Sequence, residues 1–146
     1  MMPLMDFLTV CKAVDFIVEL PDRFLFIEIK DPQHPSAKSR DRQRFVQDFQ
    51  SGGLDEELKY KYRDSFLYQW ACGSVKEKPI YYFVVVALDS LTEADLLTRT
   101  EALKRQLPLQ GPSSGVWRQR IVEDCAVFNL RTWNSKLPQY QIRRVP

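Results

Sequence analysis

Three charged residues interrupt two apolar segments near the start of the chain, and their side chains suit metal-assisted hydrolysis. Asp15 lies in the segment 14–20, and Glu28 and Lys30 lie at the end of the segment 23–30. Charged groups inside a sheet are costly unless they pair or bind an ion. Two converging carboxylates suit a hard cation such as Mg²⁺, and a metal-bound water beside a lysine suits phosphodiester hydrolysis.

The two segments predict a β-hairpin that brings these side chains together. Both are rich in β-branched and aromatic residues, and Pro21 and Asp22 separate them. Because two-residue hairpins prefer primed turns, we expect a loop slightly longer than two residues. Glu28 and Lys30 are two positions apart and therefore share one face of their strand. Antiparallel pairing then places Asp15 beside Glu28.

An Asp before a hairpin and an acidic-x-Lys triplet after it make this region similar to the PD-(D/E)xK, or restriction-endonuclease-like, nuclease superfamily. Asp15 matches the first position, and Glu28-Ile29-Lys30 matches the triplet. The motif covers roughly the first third of the chain, and the order of the following helix and strand also agrees. The resemblance implies an α/β fold with a restriction-endonuclease-like mixed sheet, led by an antiparallel hairpin and flanked by helices.

The resemblance also implies a division of roles at the site. Asp15 and Glu28 would hold Mg²⁺ or Mn²⁺, and the Ile29 carbonyl is expected to complete the coordination. Lys30 would orient the attacking water and stabilise the charge that develops on the phosphate. The protonation state of Lys30 stays open, because burial lowers a lysine pKa whereas adjacent carboxylates raise it.

The beginning of the chain departs from the superfamily pattern. A helix and a strand usually precede the Asp, but positions 1–13 have no room for a full helix. Phe7, Leu8 and Val10 predict at most a short strand, and Asp6 is only a faint substitute for an acidic ligand from the helix. We therefore expect a truncated start, a homodimer, or another partner that covers the missing part.

Basic residues follow the motif and are candidates for binding nucleic-acid phosphates. Positions 36–50 predict a helix with an apolar side, and Gly52 and Gly53 end it. Its basic residues are Lys38, Arg40, Arg42 and Arg44. The arginines could grip phosphates, but such a run is also typical of a solvated helix face. The single histidine, His34, is expected to be a solvated loop residue.

The clearest helix is predicted over 54–72, with apolar residues four apart. These are Leu54, Leu58, Tyr62, Phe66 and Trp70. Lys59 and Arg63 share another face of this helix and are predicted to bind nucleic acid. In the resembled fold such a helix sometimes adds a polar residue to the site, and Lys59, Arg63 or Gln69 could fill that role. Ordinary helix surface is the alternative for each.

The second half of the chain completes a single predicted domain, 1–146. The apolar run 80–88 predicts a buried central strand, parallel to 23–30. Thr92 is expected to cap a helix that ends near 107. The run 121–130 predicts a last strand, which gives a sheet of four to five strands. A basic tail, about 132–146, is expected to be flexible.

Composition indicates an ordinary soluble domain. The 146 residues carry a net charge of +2, and the three cysteines are far apart. This spacing predicts neither a zinc site nor disulfides, so a reducing, cytoplasmic location is expected. The start lacks the pattern of a signal peptide, and no apolar run is long enough to span a bilayer, so no membrane partner is expected.

The sequence thus predicts a Mg²⁺- or Mn²⁺-dependent nuclease that hydrolyses nucleic-acid phosphodiesters, with DNA favoured over RNA. Two alternatives stay open. One is a nucleic-acid-binding module of the same fold without turnover. The other is a protein-interaction module in which the charges of Asp15, Glu28 and Lys30 form a structural ion pair or protect an edge strand.

Overall fold

Strands and helices alternate along the chain in the computed structural model, which describes residues 12–74, 78–113, 115 and 117–145. The elements are β1 (Phe16–Glu19), β2 (Phe24–Lys30), α1 (Ser39–Ser51), α2 (Asp55–Ala71), β3 (Ile80–Val86), α3 (Glu93–Gln106), β4 (Asp124–Phe128), α4 (Leu130–Lys136) and a 3₁₀ turn (Pro138–Tyr140). The short first strand and the role of Asp6 proposed from sequence lie outside the described residues. None of the helices in these ranges could cross a bilayer.

The four strands form one mixed sheet in the order β1-β2-β3-β4. β1 pairs with β2 antiparallel, with Phe16 opposite Ile27, whereas β2, β3 and β4 run parallel to one another. The hairpin, the parallel pair and the central position of β3 are therefore confirmed. This topology brings the beginning of β1 and the ends of the three parallel strands to one edge of the sheet.

Helices cover both faces of the sheet because both faces are apolar. On one face, Phe26 and Val84 pack with Tyr62 of α2 and Leu103 of α3. On the other face, Ile27 and Val85 pack against Trp133 of α4. The protein is thus a mixed α/β domain with helices on either side, as predicted in outline.

Helix α4 occupies positions that the sequence assigned to the last strand and the tail. The strand ends at Phe128, and the Asn129 side chain then accepts a hydrogen bond of 2.8 Å from the Thr132 amide. The Thr132 hydroxyl in turn accepts one of 3.0 Å from the Asn129 amide. This capping box starts a helix directly after the strand, without a loop that would mark the change.

The apolar row predicted along α2 is buried only in its first part. Leu58 and Tyr62 are buried, but Trp70 is 66% exposed. Residues four apart rotate by about 40° around a helix, so a long row turns away from the sheet. The helix ends near Gly73, whose φ of 71° is the left-handed conformation that glycine tolerates.

The tail expected to be flexible makes specific contacts with the rest of the domain. Asn134 exchanges two hydrogen bonds with the main chain of Ile142, at 2.9 and 2.8 Å. Arg144 reaches the Asp31 carboxylate at 2.6 Å and the Ala87 carbonyl at 2.9 Å. These contacts connect the tail to the edge where β2 and β3 end, while its mobility stays a prediction.

A buried serine connects the segment before β1 to helix α2. The Ser65 hydroxyl accepts a hydrogen bond of 2.9 Å from the Val14 amide and donates one of 2.8 Å to the Lys61 carbonyl. Ser65 is only 1% exposed, so water cannot replace it as a partner. The contact fixes the position from which the next residue, Asp15, extends toward β2.

We expect Ser65→Ala to lower the free energy of unfolding by about 1–3 kcal/mol, because the buried Val14 amide loses its acceptor. Urea unfolding followed by circular dichroism measures the change. Ser135→Ala on the exposed side of α4 is the matched control, with an effect within about 0.5 kcal/mol. An equally small effect of Ser65→Ala would contradict this role.

Candidate metal and catalytic site

The Asp15 side chain takes the place of a main-chain partner at the end of the hairpin. Asp15 directly precedes β1, and its Oδ2 accepts a hydrogen bond of 2.7 Å from the Ile29 amide. Extending the ladder by two pairs would have placed Asp15 opposite Glu28 and Val14 opposite Ile29, but the Val14 amide turns to Ser65 instead. The Asp15 carboxylate therefore lies beside the end of β2, as the sequence predicted.

The Ile29 carbonyl points to the same side of β2 as Asp15. The carbonyl of the next residue, Lys30, accepts a hydrogen bond of 2.8 Å from Ala87 on the β3 side. Main-chain groups of successive strand residues point to opposite neighbours, so the amide and carbonyl of Ile29 point away from β3. The geometry thus brings together two of the predicted ligands, the Asp15 carboxylate and the Ile29 carbonyl.

Glu28 is a buried carboxylate with one oxygen paired and the other without a partner. Its side chain is only 1% exposed, and its Oε2 lies 3.0 Å from the Lys61 ammonium and 3.4 Å from that of Lys30. Its Oε1 is buried and has no hydrogen-bond partner within the described part of the chain. Such an oxygen is a strong candidate for accepting a proton or binding a cation.

Burial raises the pKa of Glu28 above its ordinary value. The hydrogen bond from Lys61 acts in the opposite direction, and the nearby Asp15 carboxylate raises the pKa further. The result is a carboxylate that its surroundings keep charged only with difficulty, because the protein removes water from around it.

Lys30 is held in its charged form by two carboxylates. Its ammonium donates a hydrogen bond of 3.0 Å to Glu57 Oε1, and Glu28 is its second partner. Burial opposes the charge, but these two carboxylates outweigh it and raise the pKa of Lys30. The surroundings of Lys30 therefore favour its ammonium form, which gives the direction that the sequence left open.

Sequence reasoning missed two members of this cluster, Glu57 and Lys61. Both come from α2, and they lie one helical turn apart on one side of it. Glu57 directly precedes Leu58, and Lys61 directly precedes Tyr62, and both Leu58 and Tyr62 are buried residues of the apolar row. A charged residue next to a buried position was the signal in the sequence that could have identified them. Together Asp15, Glu28, Lys30, Glu57 and Lys61 form the cluster that we call the β2-edge charge cluster.

Lys59 and Arg63 lie outside the β2-edge charge cluster. Each is two residues from Lys61, which rotates it by about 160° around α2. Both line a groove of about 580 Å³ together with residues from the end of α3, and both contact the Tyr60 ring, at 5.0 and 5.8 Å. The structure therefore does not bring them to Glu28, and their role in nucleic-acid binding stays a prediction. Gln69 lies about two helical turns beyond Lys61 along α2.

The three predicted arginines of α1 differ in environment. Arg40 and Arg44 are exposed. Arg42 is half-buried and donates a hydrogen bond of 3.2 Å to the carbonyl of His34. The exposed His34 ring contacts Ser36 in the same loop. Arg42 therefore holds the loop that follows β2, and Arg40 and Arg44 are the two arginines free to meet phosphates.

No family model, curated protein or solved structure matches this chain. The interpretation of the site thus depends on its own geometry. Within residues 12–74, 78–113, 115 and 117–145, no group of three or more His, Cys, Asp and Glu side chains is arranged to hold a metal. Asp15 and Glu28 supply two carboxylates at this end of β2.

The raised pKa of Glu28 predicts how stability depends on pH. An unfolded Glu has a pKa of about 4.3, so the folded protein binds this proton more tightly than the unfolded chain does. This tighter proton binding stabilises the folded protein below about pH 4, and the stabilisation is lost as the pH rises through the pKa of Glu28 in the folded state. We therefore expect Glu28→Gln to gain stability relative to the wild type between pH 4 and pH 8.

Urea unfolding across this pH range in metal-free buffer measures the difference. Glu56→Gln, on the exposed side of α2, controls for the loss of one acidic side chain. A wild type that becomes more stable than Glu28→Gln as the pH rises would identify Glu28 as a net stabilising ion-pair partner, contrary to this interpretation.

Proposed function

We propose that this protein is a metal-dependent nuclease of the PD-(D/E)xK type that hydrolyses nucleic-acid phosphodiesters, with DNA as the first substrate to test. The observation that carries the proposal is the convergence at the end of β2. Asp15 Oδ2 accepts a hydrogen bond of 2.7 Å from the Ile29 amide, and the Lys30 ammonium lies 3.4 Å from Glu28 Oε2. The other Glu28 oxygen, Oε1, has no hydrogen-bond partner within the described residues.

The residues present fit a hard divalent cation. Mg²⁺ prefers oxygen ligands and takes one or two carboxylates while keeping several waters. Asp15, Glu28 and the Ile29 carbonyl would supply those oxygens, and the unpartnered Glu28 oxygen is a ready ligand. The Asp15 carboxylate near the buried Glu28 carboxylate adds negative potential at this site, which favours a cation. When bound, the ion supplies Lewis-acid activation of the phosphoryl group and of a water.

Lys30 supplies electrostatic stabilisation in this proposal. Glu57 holds its ammonium at 3.0 Å and fixes its position at the end of β2. A fixed positive charge stabilises the negative charge that develops on a phosphate during attack. The exposed Asp15 leaves the cluster open to solvent on one side, where an extended polymer can approach.

Basic residues outside the cluster are proposed to bind the backbone of the substrate. Arg40 and Arg44 are exposed on α1, the helix that follows β2 in the chain. Lys59 and Arg63 line the groove on the other side of α2. Contacts of this kind position a nucleic acid without reading its sequence.

A non-catalytic interaction module is the second candidate, and the two lysine–glutamate pairs favour it. Lys61 lies 3.0 Å from Glu28, and Lys30 lies 3.0 Å from Glu57. Such pairs could serve as a structural network that joins α2 to the sheet. In that case the cluster would have no affinity for divalent ions, and removal of one partner would cost about 3–5 kcal/mol.

Hydrolysis separates the two candidates. In Mg²⁺ or Mn²⁺, Asp15→Asn, Glu28→Gln and Lys30→Met should each reduce cleavage of a labelled DNA at least about 100-fold, because a ligand or the fixed charge is lost. Asp22→Asn in the hairpin turn is the control, because its carboxylate contacts only the neighbouring Arg23 among the described residues. Its cleavage rate should equal that of the wild type.

Thermal unfolding in the same buffers reports on the metal independently of cleavage. Mn²⁺ should raise the melting temperature of the wild type and of Asp22→Asn but not of Glu28→Gln, since only a bound ion stabilises the folded state. A folded wild type that neither cleaves DNA nor has a higher melting temperature in Mn²⁺ would contradict the nuclease proposal.

Salt dependence tests the arginines of α1. The double variant Arg40→Ala and Arg44→Ala should bind DNA more weakly, and the slope of log K against log salt should fall by about 0.9 for each lost phosphate contact. Fluorescence anisotropy at several salt concentrations measures the slope. Arg131→Ala, at an exposed position of α4 on the other face of the sheet, should leave the slope unchanged. An unaltered slope in the double variant removes α1 from the interface.

A further inference from the structure

Lys61 holds the position nearest to the buried carboxylate that a metal would need. Its ammonium lies 3.0 Å from Glu28 Oε2, closer than the 3.4 Å of Lys30. Lys30 is itself held by Glu57 at 3.0 Å. The two lysines are therefore not equivalent: Lys30 has a second carboxylate that fixes it in place, and Lys61 serves mainly as the counter-ion of Glu28.

We propose that Lys61 is a displaceable counter-ion, which neutralises Glu28 in the metal-free protein and gives up this carboxylate when a divalent cation binds. The inference rests on the proposed function and deepens it, because it assigns a role to a residue outside the matched motif. It makes metal binding an exchange of one cation for another.

The different mobility of the two partners supports such an exchange. Glu28 lies on β2, where it pairs with Val84 of β3, and its side chain is only 1% exposed, so it cannot leave the cluster. The Lys61 side chain is 20% exposed and has a flexible four-carbon stem, so its ammonium can move into water. The ammonium, not the carboxylate, is therefore the mobile partner.

The unpartnered oxygen of Glu28 allows the exchange to proceed in steps. Lys61 and Lys30 both contact Oε2, whereas Oε1 has no hydrogen-bond partner among the described residues. The incoming cation and the departing ammonium therefore have separate oxygens of one carboxylate, Oε1 and Oε2. The buried carboxylate is then never left without a counter-charge, which would be costly at low local dielectric.

The direct test is titration of the full chain with Mn²⁺ by isothermal calorimetry at pH 8, without nucleic acid. Lys61→Met removes the competing ammonium and should bind Mn²⁺ about tenfold more tightly than the wild type. Lys136→Met, at an exposed position of α4 on the other face of the sheet, should bind like the wild type. Glu28→Gln should lose binding with or without Lys61→Met.

Lys61→Arg keeps the charge and tests the same point in the opposite direction. A guanidinium can contact both oxygens of a carboxylate and would cover the unpartnered one. We expect it to bind Mn²⁺ at least about tenfold more weakly than the wild type. This variant also keeps the inference testable if Lys61→Met fails to fold, because it retains the counter-charge of Glu28.

The outcomes distinguish this inference from the proposed function. Mn²⁺ affinities that rise in Lys61→Met and fall in Lys61→Arg support a displaceable counter-ion. Binding by the wild type that neither substitution changes overturns the inference and leaves the nuclease proposal standing. Binding by Lys61→Met alone supports the inference but contradicts hydrolysis by the wild type. An absence of binding in the wild type and in both variants overturns both.

Discussion

The structure of this region depends on one carboxylate that is buried near the end of a strand. Glu28 lies opposite Val84 of β3 and 3.0 Å from the Lys61 ammonium of α2, and it is almost completely shielded from water. An isolated charge in such a place is unfavourable by far more than the stability of a typical domain. The lysines of β2 and α2 therefore offset part of this cost in the metal-free protein, whatever the protein does.

What distinguishes this cluster from an ordinary buried ion pair is that it is incomplete. A structural network satisfies all of its polar atoms, because a half-satisfied one is less stable than an apolar core. Here Glu28 has one paired oxygen and one that finds no partner in the described part of the chain, and the Asp15 carboxylate nearby adds to the negative potential. Sites that retain such an imbalance are typical of regions selected for binding or chemistry rather than for stability.

The parts of the fold that could be predicted from sequence are those fixed by local patterns. The Phe16–Lys30 hairpin has dense β-branched and aromatic residues, and Thr92 and Asp95 form the capping box that opens α3. The positions of Asp15, Glu28 and Lys30 also followed from alternation and antiparallel pairing. Glu57 and Lys61 could not be found in this way, because their importance depends on which side of α2 faces β2. That orientation is set by long-range contacts such as Val14 with Ser65.

The four-residue spacing between Glu57 and Lys61 has a consequence for how this region can change in evolution. One helical turn separates them, so both reach the same strand from a single rigid element. Insertion or deletion of one residue between them would rotate one side chain by about 100° relative to the other and disconnect it from β2. Substitutions that keep the charge, such as Lys61→Arg, could preserve the network, whereas changes in length within this turn could not. In related chains, this turn of α2 should therefore tolerate charge-conserving substitutions and exclude gaps.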